Sequence, residues 1–309
     1  MTALRLVFAG SPAAAVPTLR ALAFGPHEVQ YVITRPPAPV GRKRVLTPTP
    51  VAQEAAERGI PVREAVRLQE LESDLLAGSV DLGVIVAYGA LVREPLLSWP
   101  RLGWINLHFS LLPRWRGAAP VQHALMAGEH QTGATVFQLT PGLDDGDWYA
   151  QHREPVGPSD TAGAVLDRLS ETGAALTSSV VDALAAGSAV AHPQVGAVTL
   201  APKLERAHGR VDWTADAARI LAQWRGVTPE PGAWTQTDGG LAVKLLQLGP
   251  DADSEREGTP GTLWTTDGRV FVGTGSGPLE LVRVQPAGKQ AMPAREWARG
   301  WGNSPPRFT

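Results

Sequence analysis

The N-terminal part of the chain alternates short, continuously apolar runs with stretches of helical spacing, and this alternation narrows the choice of fold more than any other feature. Leu4-Arg5-Leu6-Val7-Phe8-Ala9 is a compact apolar run that ends at Gly10-Ser11-Pro12. An Ala-rich stretch with helical spacing follows, through Leu22, so the segment reads as strand, tight turn and helix. Val29 to Ile33 reads as a second strand, Thr49-Pro50 as a helix N-cap with proline in the first helical position, and Asp81 to Ala87 as a buried strand. Strands with no polar alternation are covered on both faces. Strands that alternate with helices build a mostly parallel sheet, so the predicted class is α/β.

A long helix is predicted from Asp160 or Thr161 to about Ala186. Beyond it, Gly187 to Pro202 loses helical periodicity and carries two prolines, which places a linker over 187–205. A helical segment, Thr214 to Arg225, then precedes strand-like runs at Leu241 to Leu248, Gly261 to Trp264, Arg269 to Gly273 and Leu279 to Val284. Short strands separated by Gly, Pro and Asp predict a small β-barrel. With 309 residues and domains of ~100 to 200, the expected organisation is a domain over 1–186 and a smaller one over 206–309.

Composition excludes several chemistries. There is no cysteine, hence no disulfide, thiolate nucleophile or Cys-based zinc site. His27, His123, His130, His152, His192 and His208 show no metal-ligand spacing, so no metal is expected. Gly10-Ser11-Pro12 lacks the later glycines of a dinucleotide fingerprint. A formal net charge of −2 rules out a uniformly basic coat, and the start of the chain lacks the apolar core of a signal peptide. The expectation is a soluble cytoplasmic protein with no membrane association.

The chemistry concentrates in two stretches. In Ile105-Asn106-Leu107-His108-Phe109-Ser110, strand alternation sets Asn106, His108 and Ser110 on one face and Ile105, Leu107 and Phe109 on the other. An amide donor beside a group that titrates near neutrality suits an oxyanion forming on a carbonyl, although a strand with one solvated polar face has the same pattern. The following loop, Ser110 to Pro120, is rich in conformationally restricted residues and leads into a helix at Val121 to Ala127. Loops beyond the carboxyl ends of parallel strands are where α/β sheets bind ligands. The second stretch, Pro141 to Asp147, holds Asp144, Asp145 and Asp147 but not the ligand spacing of a calcium loop. A carboxylate there could orient His108 and keep it protonated.

Between Val29 and Gln53 there is no acidic residue, while Arg35, Arg42, Lys43 and Arg44 add positive charge to a Pro- and Gly-rich segment. It reads as a long exposed loop, either simply solvated or an arm that contacts phosphates.

Assembled, these residues resemble the methionyl-tRNA formyltransferases, a branch of the folate-dependent formyltransferases. The family's Asn-x-His-x-Ser-Leu-Leu-Pro-x-x-Arg-Gly-Ala-Ala-Pro stretch stands at Asn106 to Pro120, and its Gly-Leu-Asp-x-Gly-Asp turn at Gly142 to Asp147. Similarity continues through Ala87-Tyr88-Gly89, Pro48-Thr49-Pro50-Val51, Lys203-Leu204, Arg210-Val211-Asp212-Trp213 and Gln285-Pro286-Ala287-Gly288-Lys289. It covers essentially the whole chain, and the C-terminal matches select the tRNA branch. Departures are Ala13 and Ala14, where the family often has an acidic and an aromatic residue, and Thr228-Pro229-Glu230-Pro231 in place of Asn-Pro-x-Pro.

The resemblance implies a Rossmann-like formyltransferase sheet followed by a small OB-like barrel, and transfer of a formyl group from 10-formyltetrahydrofolate to the α-amine of methionyl initiator tRNA. It implies catalysis by Asn106, His108 and Asp144, with Asn106 and His108 stabilising the oxyanion and Asp144 polarising His108. The folate is expected near Val86, Ala87, Tyr88, Gly89, Leu91, Ser110, Leu111, Leu112, Pro113, Gln138, Thr140 and Leu143. tRNA contacts are expected at Arg42, Lys43 and Arg44 and, on the barrel side, at Lys203, Arg206, Lys244 and Lys289. The protein is expected to act as a monomer. The alternative reaction is a sugar-nucleotide N-formyltransferase with the same donor.

Overall fold

The computed structural model describes residues 2–41, 43–250, 258–302 and 304–309. They divide into two compact units. One comprises the chain up to Pro120 with Gln131–Pro155 and Leu166–Pro202; the other comprises Val121–His130, Val156–Val165 and the chain from Lys203 onward.

The N-terminal part runs β1 (Arg5–Gly10), α1 (Val16–Phe24), β2 (Glu28–Thr34), β3 (Ala38–Val40), β4 (Val45–Thr47), α2 (Pro50–Glu57), β5 (Val62–Glu64), α3 (Glu72–Leu76) and β6 (Leu82–Val86). It continues through β7 (Trp104–His108), α4 (Pro120–Met126), β8 (Gln131–Gln138), β9 (Trp148–Pro155) and the long α5 (Ala162–Ala186). Seven strands form one sheet in the order β5-β2-β1-β6-β7-β8-β9. β5 through β7 are mutually parallel, and β8 and β9 complete the sheet antiparallel. Because β1 lies between β2 and β6, the chain reverses its direction of winding there. Ligands bind α/β sheets at such a switch point, beyond the carboxyl ends of the strands.

The continuous apolar runs do become the centre of this sheet. Leu6, Val7, Phe8 and Ala9 have no exposed surface, and all of β6 is buried. The α2 start follows the sequence signal: Thr49 Oγ1 accepts the Ala52 N–H at 3.1 Å and Pro50 opens the helix. At Ala13–Ala15 the chain makes a 3₁₀ turn, and α1 begins at Val16 with Ala15 in the cap position, which has no side chain able to cap it.

Two segments differ from their sequence reading. The basic loop is a two-stranded hairpin, with Ala38 opposite Thr47 and Val40 opposite Val45. Both strands are largely exposed, so no buried face imposes an alternating pattern to read. The 187–205 stretch also divides: residues up to Pro202 belong to the first unit, where Trp148 bridges His192 and Arg116 bridges Leu200. An extended segment held by isolated bridges has no periodicity of its own.

The second unit contains α6 (Ala217–Val227), β10 (Trp234–Gln236), β11 (Ala242–Pro250), β12 (Leu263–Thr266), β13 (Arg269–Gly273), β14 (Pro278–Pro286), β15 (Met292–Pro293) and α7 (Ala294–Ala298). Its antiparallel sheet follows β10-β11-β14-β13-β12, with β15 on β14. Residues Arg307 and Phe308 bridge both ends of that path, Phe308 to Thr237 beside β10 and Arg307 to Thr262 beside β12. Among the described residues the strands follow an open path and no closed barrel forms, so the expected barrel is found as an antiparallel sheet whose two ends are joined only by these isolated bridges. Phe308 stacks on Trp213 and Trp297, with ring centroids 5.3 Å and 5.8 Å away, inside the core of this unit.

Candidate active site

β7 runs between β6 and β8, with Asn106 opposite Ile85 and Phe137, and His108 opposite Thr135. In this central strand both faces are covered. His108 and Ser110 are therefore buried, as are Ile105, Leu107 and Phe109. The polar face is not a solvated one. Asn106 Oδ1 is buried with no hydrogen-bond partner among the described residues. A buried acceptor left unmatched carries a penalty of about 1–3 kcal/mol.

The loop after β7 is held from two sides. Towards the sheet, the Thr135 hydroxyl donates to the Ser110 carbonyl at 2.6 Å and accepts the Leu112 N–H at 3.2 Å, while the Gln151 amide donates to the Leu112 carbonyl at 3.1 Å. The Ser110 hydroxyl closes the loop internally on the Arg114 carbonyl at 2.6 Å. On the other side lies the segment after α5. Thr199 Oγ1 accepts the Trp115 N–H at 2.8 Å, the Thr199 carbonyl accepts the Arg116 N–H at 2.9 Å, and the Ala201 N–H donates to the Arg116 carbonyl at 2.8 Å. Gly117 has φ +125°, and a Cβ there would lie 2.7 Å from the Ala201 carbonyl oxygen, so only glycine fits between loop and brace.

This bracing sets the reacting groups. The Trp115 carbonyl accepts a hydrogen bond from His108 Nε2 at 2.8 Å. A carbonyl only accepts, so Nε2 carries the hydrogen and, in the neutral ring, Nδ1 is the free base. Nδ1 lies 3.7 Å from Asp144 Oδ2, which in turn accepts the Gly117 N–H at 2.7 Å. Asp144 itself is held with φ +47°, in the left-handed region. Burial pushes the His108 pKa below its ordinary value; the Asp144 charge and the Trp115 carbonyl act in the opposite direction and only partly offset it. The sequence reading had the carboxylate keeping His108 protonated. Desolvation outweighs it, and the ring is neutral near pH 7.

Asn106, His108 and Asp144 meet on the wall of a cavity of about 400 Å³ beyond the carboxyl ends of β6 and β7. Ala87, Tyr88, Gly89, Leu91, Thr140 and Leu143 also line it. Ala87 and Gly89 have φ +48° and +76°, so the turn after β6 presents backbone rather than side chains, and Arg35 Nη2 fixes it by donating to the Gly89 carbonyl at 3.0 Å. The Tyr88 hydroxyl donates to the Ala65 carbonyl at 2.9 Å, and burial pushes its pKa up to about 12, so the phenol supports the turn and stays protonated. Val86, Ser110, Leu111, Leu112, Pro113 and Gln138 lie outside the cavity lining. Of these, Ser110, Leu112 and Gln138 spend their polar groups on the loop contacts above or on Leu102 and Tyr149.

Arg42 lies outside the described residues. Lys43 and Arg44 are exposed at the tip of the β3–β4 hairpin. In the second unit Lys203, Arg206, Lys244 and Lys289 are all exposed. Arg206 and Lys244 come together at Trp234: the Arg206 guanidinium sits 5.1 Å from the ring centroid, and Lys244 is the cross-strand partner of Trp234. Arg210, read in the sequence as part of a family motif and not as an RNA contact, lies 5.8 Å from the same ring. Thr199, Thr135 and Gln151 were missed as well. No motif marks them, because their roles depend on which strand and which extended segment the loop meets.

Two family profiles match the chain: one described as formyl transferase over residues 4–181, and one described as formyl transferase, C-terminal domain, over residues 203–302. The chain is 55% identical over 298 residues to the methionyl-tRNA formyltransferase of Clavibacter sepedonicus, covering 96% of this chain and 97% of that one. It is 54% identical over 300 residues to the methionyl-tRNA formyltransferase of Leifsonia xyli subsp. xyli, covering 97% and 98%. Among solved structures, HypX from Aquifex aeolicus in complex with tetrahydrofolic acid has a TM-score of 0.66 at 19% identity, covering 97% of this chain and 47% of HypX. WlaRD, a sugar 3N-formyl transferase, has a TM-score of 0.67 at 13% identity, covering 94% and 100%. At these identities the two structures speak for the fold alone.

Proposed function

The chain belongs to the formyl transferase family, and from that premise we propose that it moves the formyl group of 10-formyltetrahydrofolate onto the α-amine of methionyl initiator tRNA. The observation that carries this reading is the meeting of Asn106, His108 and Asp144 on one cavity wall, with His108 fixed by the Trp115 carbonyl. A cavity of about 400 Å³ is within the ~300–1,000 Å³ range of small-molecule sites, and its backbone-lined turn at Ala87 to Gly89 suits a flat heterocycle rich in donors and acceptors.

In this reading Asn106 presents its amide to the formyl oxygen, where negative charge grows as the amine attacks the formyl carbon. Neutral His108 takes the proton released by the amine on Nδ1. Asp144 stabilises the imidazolium so formed, and His108 returns the proton to the folate nitrogen as the carbon–nitrogen bond to it breaks. One bond forms, one breaks, and one proton is carried across. No covalent intermediate on the enzyme is needed.

The first unit, which extends to Pro202, then supplies the catalytic domain and residues 206–309 the OB-like domain that meets tRNA. The protein acts as a cytoplasmic monomer. Lys43 and Arg44 at the hairpin tip serve as phosphate contacts, and Arg42, Lys203, Arg206, Lys244 and Lys289 serve alongside them. Removing the charges in a Lys43→Ala, Arg44→Ala double variant is expected to raise KM for Met-tRNA and reduce its salt dependence, since each lost phosphate contact flattens the slope. An unaltered salt dependence would leave the hairpin tip without a role in RNA binding.

The reaction is tested by offering purified protein 10-formyltetrahydrofolate with either methionyl initiator tRNA or an aminosugar nucleotide. Formyl-Met-tRNA is expected and the sugar is expected to be left unmodified; formylation of the sugar alone would reverse the assignment.

A further inference from the structure

Gln194 lies in the extended segment after α5, in no motif, 50 residues beyond Asp144 in sequence and outside the cavity wall. Its one carboxamide makes four hydrogen bonds. Nε2 donates to the Asp144 carbonyl at 2.8 Å and to the Gly146 carbonyl at 2.8 Å. Oε1 accepts from Arg116 Nη2 at 2.6 Å and from Arg116 Nε at 3.2 Å. A carboxamide has two N–H donors and two lone pairs, so its capacity is filled. The orientation is set too, because the flipped amide would face donors with donors and carbonyl oxygens with an oxygen.

The two elements joined in this way are the ones that hold the reacting groups. Asp144 sits at φ +47°, a conformation that a non-glycine residue keeps only when its surroundings hold it. Gly117 anchors its carboxylate, and Gln194 anchors its carbonyl. Gly146 completes the turn, since a Cβ there would lie 1.8 Å from the Gln138 carbonyl oxygen. On the other side, Arg116 follows Trp115, whose carbonyl orients His108, and precedes Gly117, whose N–H orients Asp144. The 3.7 Å separation between His108 Nδ1 and Asp144 Oδ2 is therefore spanned by a second link that runs through Gln194.

We propose that Gln194 is a positioning residue for formyl transfer, a neutral clamp that sets the Asp144 turn against the Trp115–Gly117 loop and so fixes Asp144 relative to His108. The proposal rests on the reading of the reaction given above. Glutamate is the close isostere that cannot do this work: it keeps both acceptors for Arg116, loses both donors to the turn, and adds a negative charge facing two carbonyl oxygens.

The test uses Gln194→Met, which keeps length and flexibility and removes all four bonds, and Gln194→Glu. For Gln194→Met, kcat is expected to fall by ~10- to 100-fold, the effect of a small misplacement of a reacting group. KM for either substrate should stay within about twofold, since no substrate contact is lost. The His108 ring, followed by NMR titration, should titrate at lower pH in this variant, because the Asp144 charge that raises its pKa is no longer held close. Gln194→Glu should fail to restore kcat. An unchanged kcat in Gln194→Met, a loss of kcat with the His108 titration unmoved, or full rescue by glutamate would each overturn the proposal. A wild-type protein that formylates no Met-tRNA would instead count against the reaction, because the NMR titration reads the clamp without turnover.

Discussion

His108→Ala is expected to lower turnover by ~10²- to 10⁴-fold, the usual contribution of a positioned acid–base group, with the fold retained and KM for the folate little changed. The ring is the proton carrier whose tautomer the Trp115 carbonyl fixes, and alanine removes that carrier. The same residue sets the acid side of the pH profile. Its pKa is depressed by burial, so the neutral, active form persists below the ordinary histidine value and activity is lost as pH falls through the lowered one. Stability carries the same sign. Between the depressed folded value and the ordinary unfolded value the unfolded chain binds more protons, so wild-type stability declines as pH falls through that window. The alanine variant should lose this part of the acid sensitivity. Parallel thermal melts between pH 7 and pH 5 compare the two proteins, and identical slopes would mean that His108 is not buried neutral.

Asn106→Ala is expected to cost ~10²- to 10³-fold in kcat, the effect of removing one donor aimed at a developing oxyanion. Its stability signature is what separates this residue from a structural one. Oδ1 is already buried without a partner, so truncation deletes an unmatched polar atom and strands none. The melting temperature should therefore hold or rise while activity collapses. A fall in both together would make Asn106 a packing residue of β7, and the catalytic assignment would pass to another donor.

What the sequence revealed, and what it did not, follows from where each signal originates. Leu6 to Ala9 and Leu82 to Val86 could be read because central strands covered on both faces must be apolar throughout. Thr49-Pro50 could be read because a capping hydroxyl and an N1 proline act within one turn. Asn106, His108 and Asp144 stood in dense, restricted motifs, and they do converge on one cavity. The hairpin at Ala38 to Thr47 was hidden because it buries neither face. The protonation of His108 was misjudged because sequence shows the nearby carboxylate but not the depth of burial that outweighs it. Gln194 and Thr199 could not be found at all. Their partners are backbone atoms and, for Gln194, the Arg116 side chain, all far away along the chain, and any polar residue at those positions would have looked like part of a linker.

The brace across the catalytic loop has a consequence for how the protein is made. Thr199 meets Trp115 across 84 residues of intervening chain, and Gln194 meets Arg116 across 78. A chain emerging from the ribosome has every strand of the parallel sheet, and His108 already in place on β7, well before the segment that fixes the Trp115 carbonyl and the Asp144 turn has been synthesised. The β1–β6 pairing spans a comparable distance, 76 residues from Leu6 to Leu82, but both of its strands precede β7 in the chain. The catalytic loop can therefore gain its brace only after the residues around Gln194 and Thr199 have been made, later than every strand of the parallel sheet.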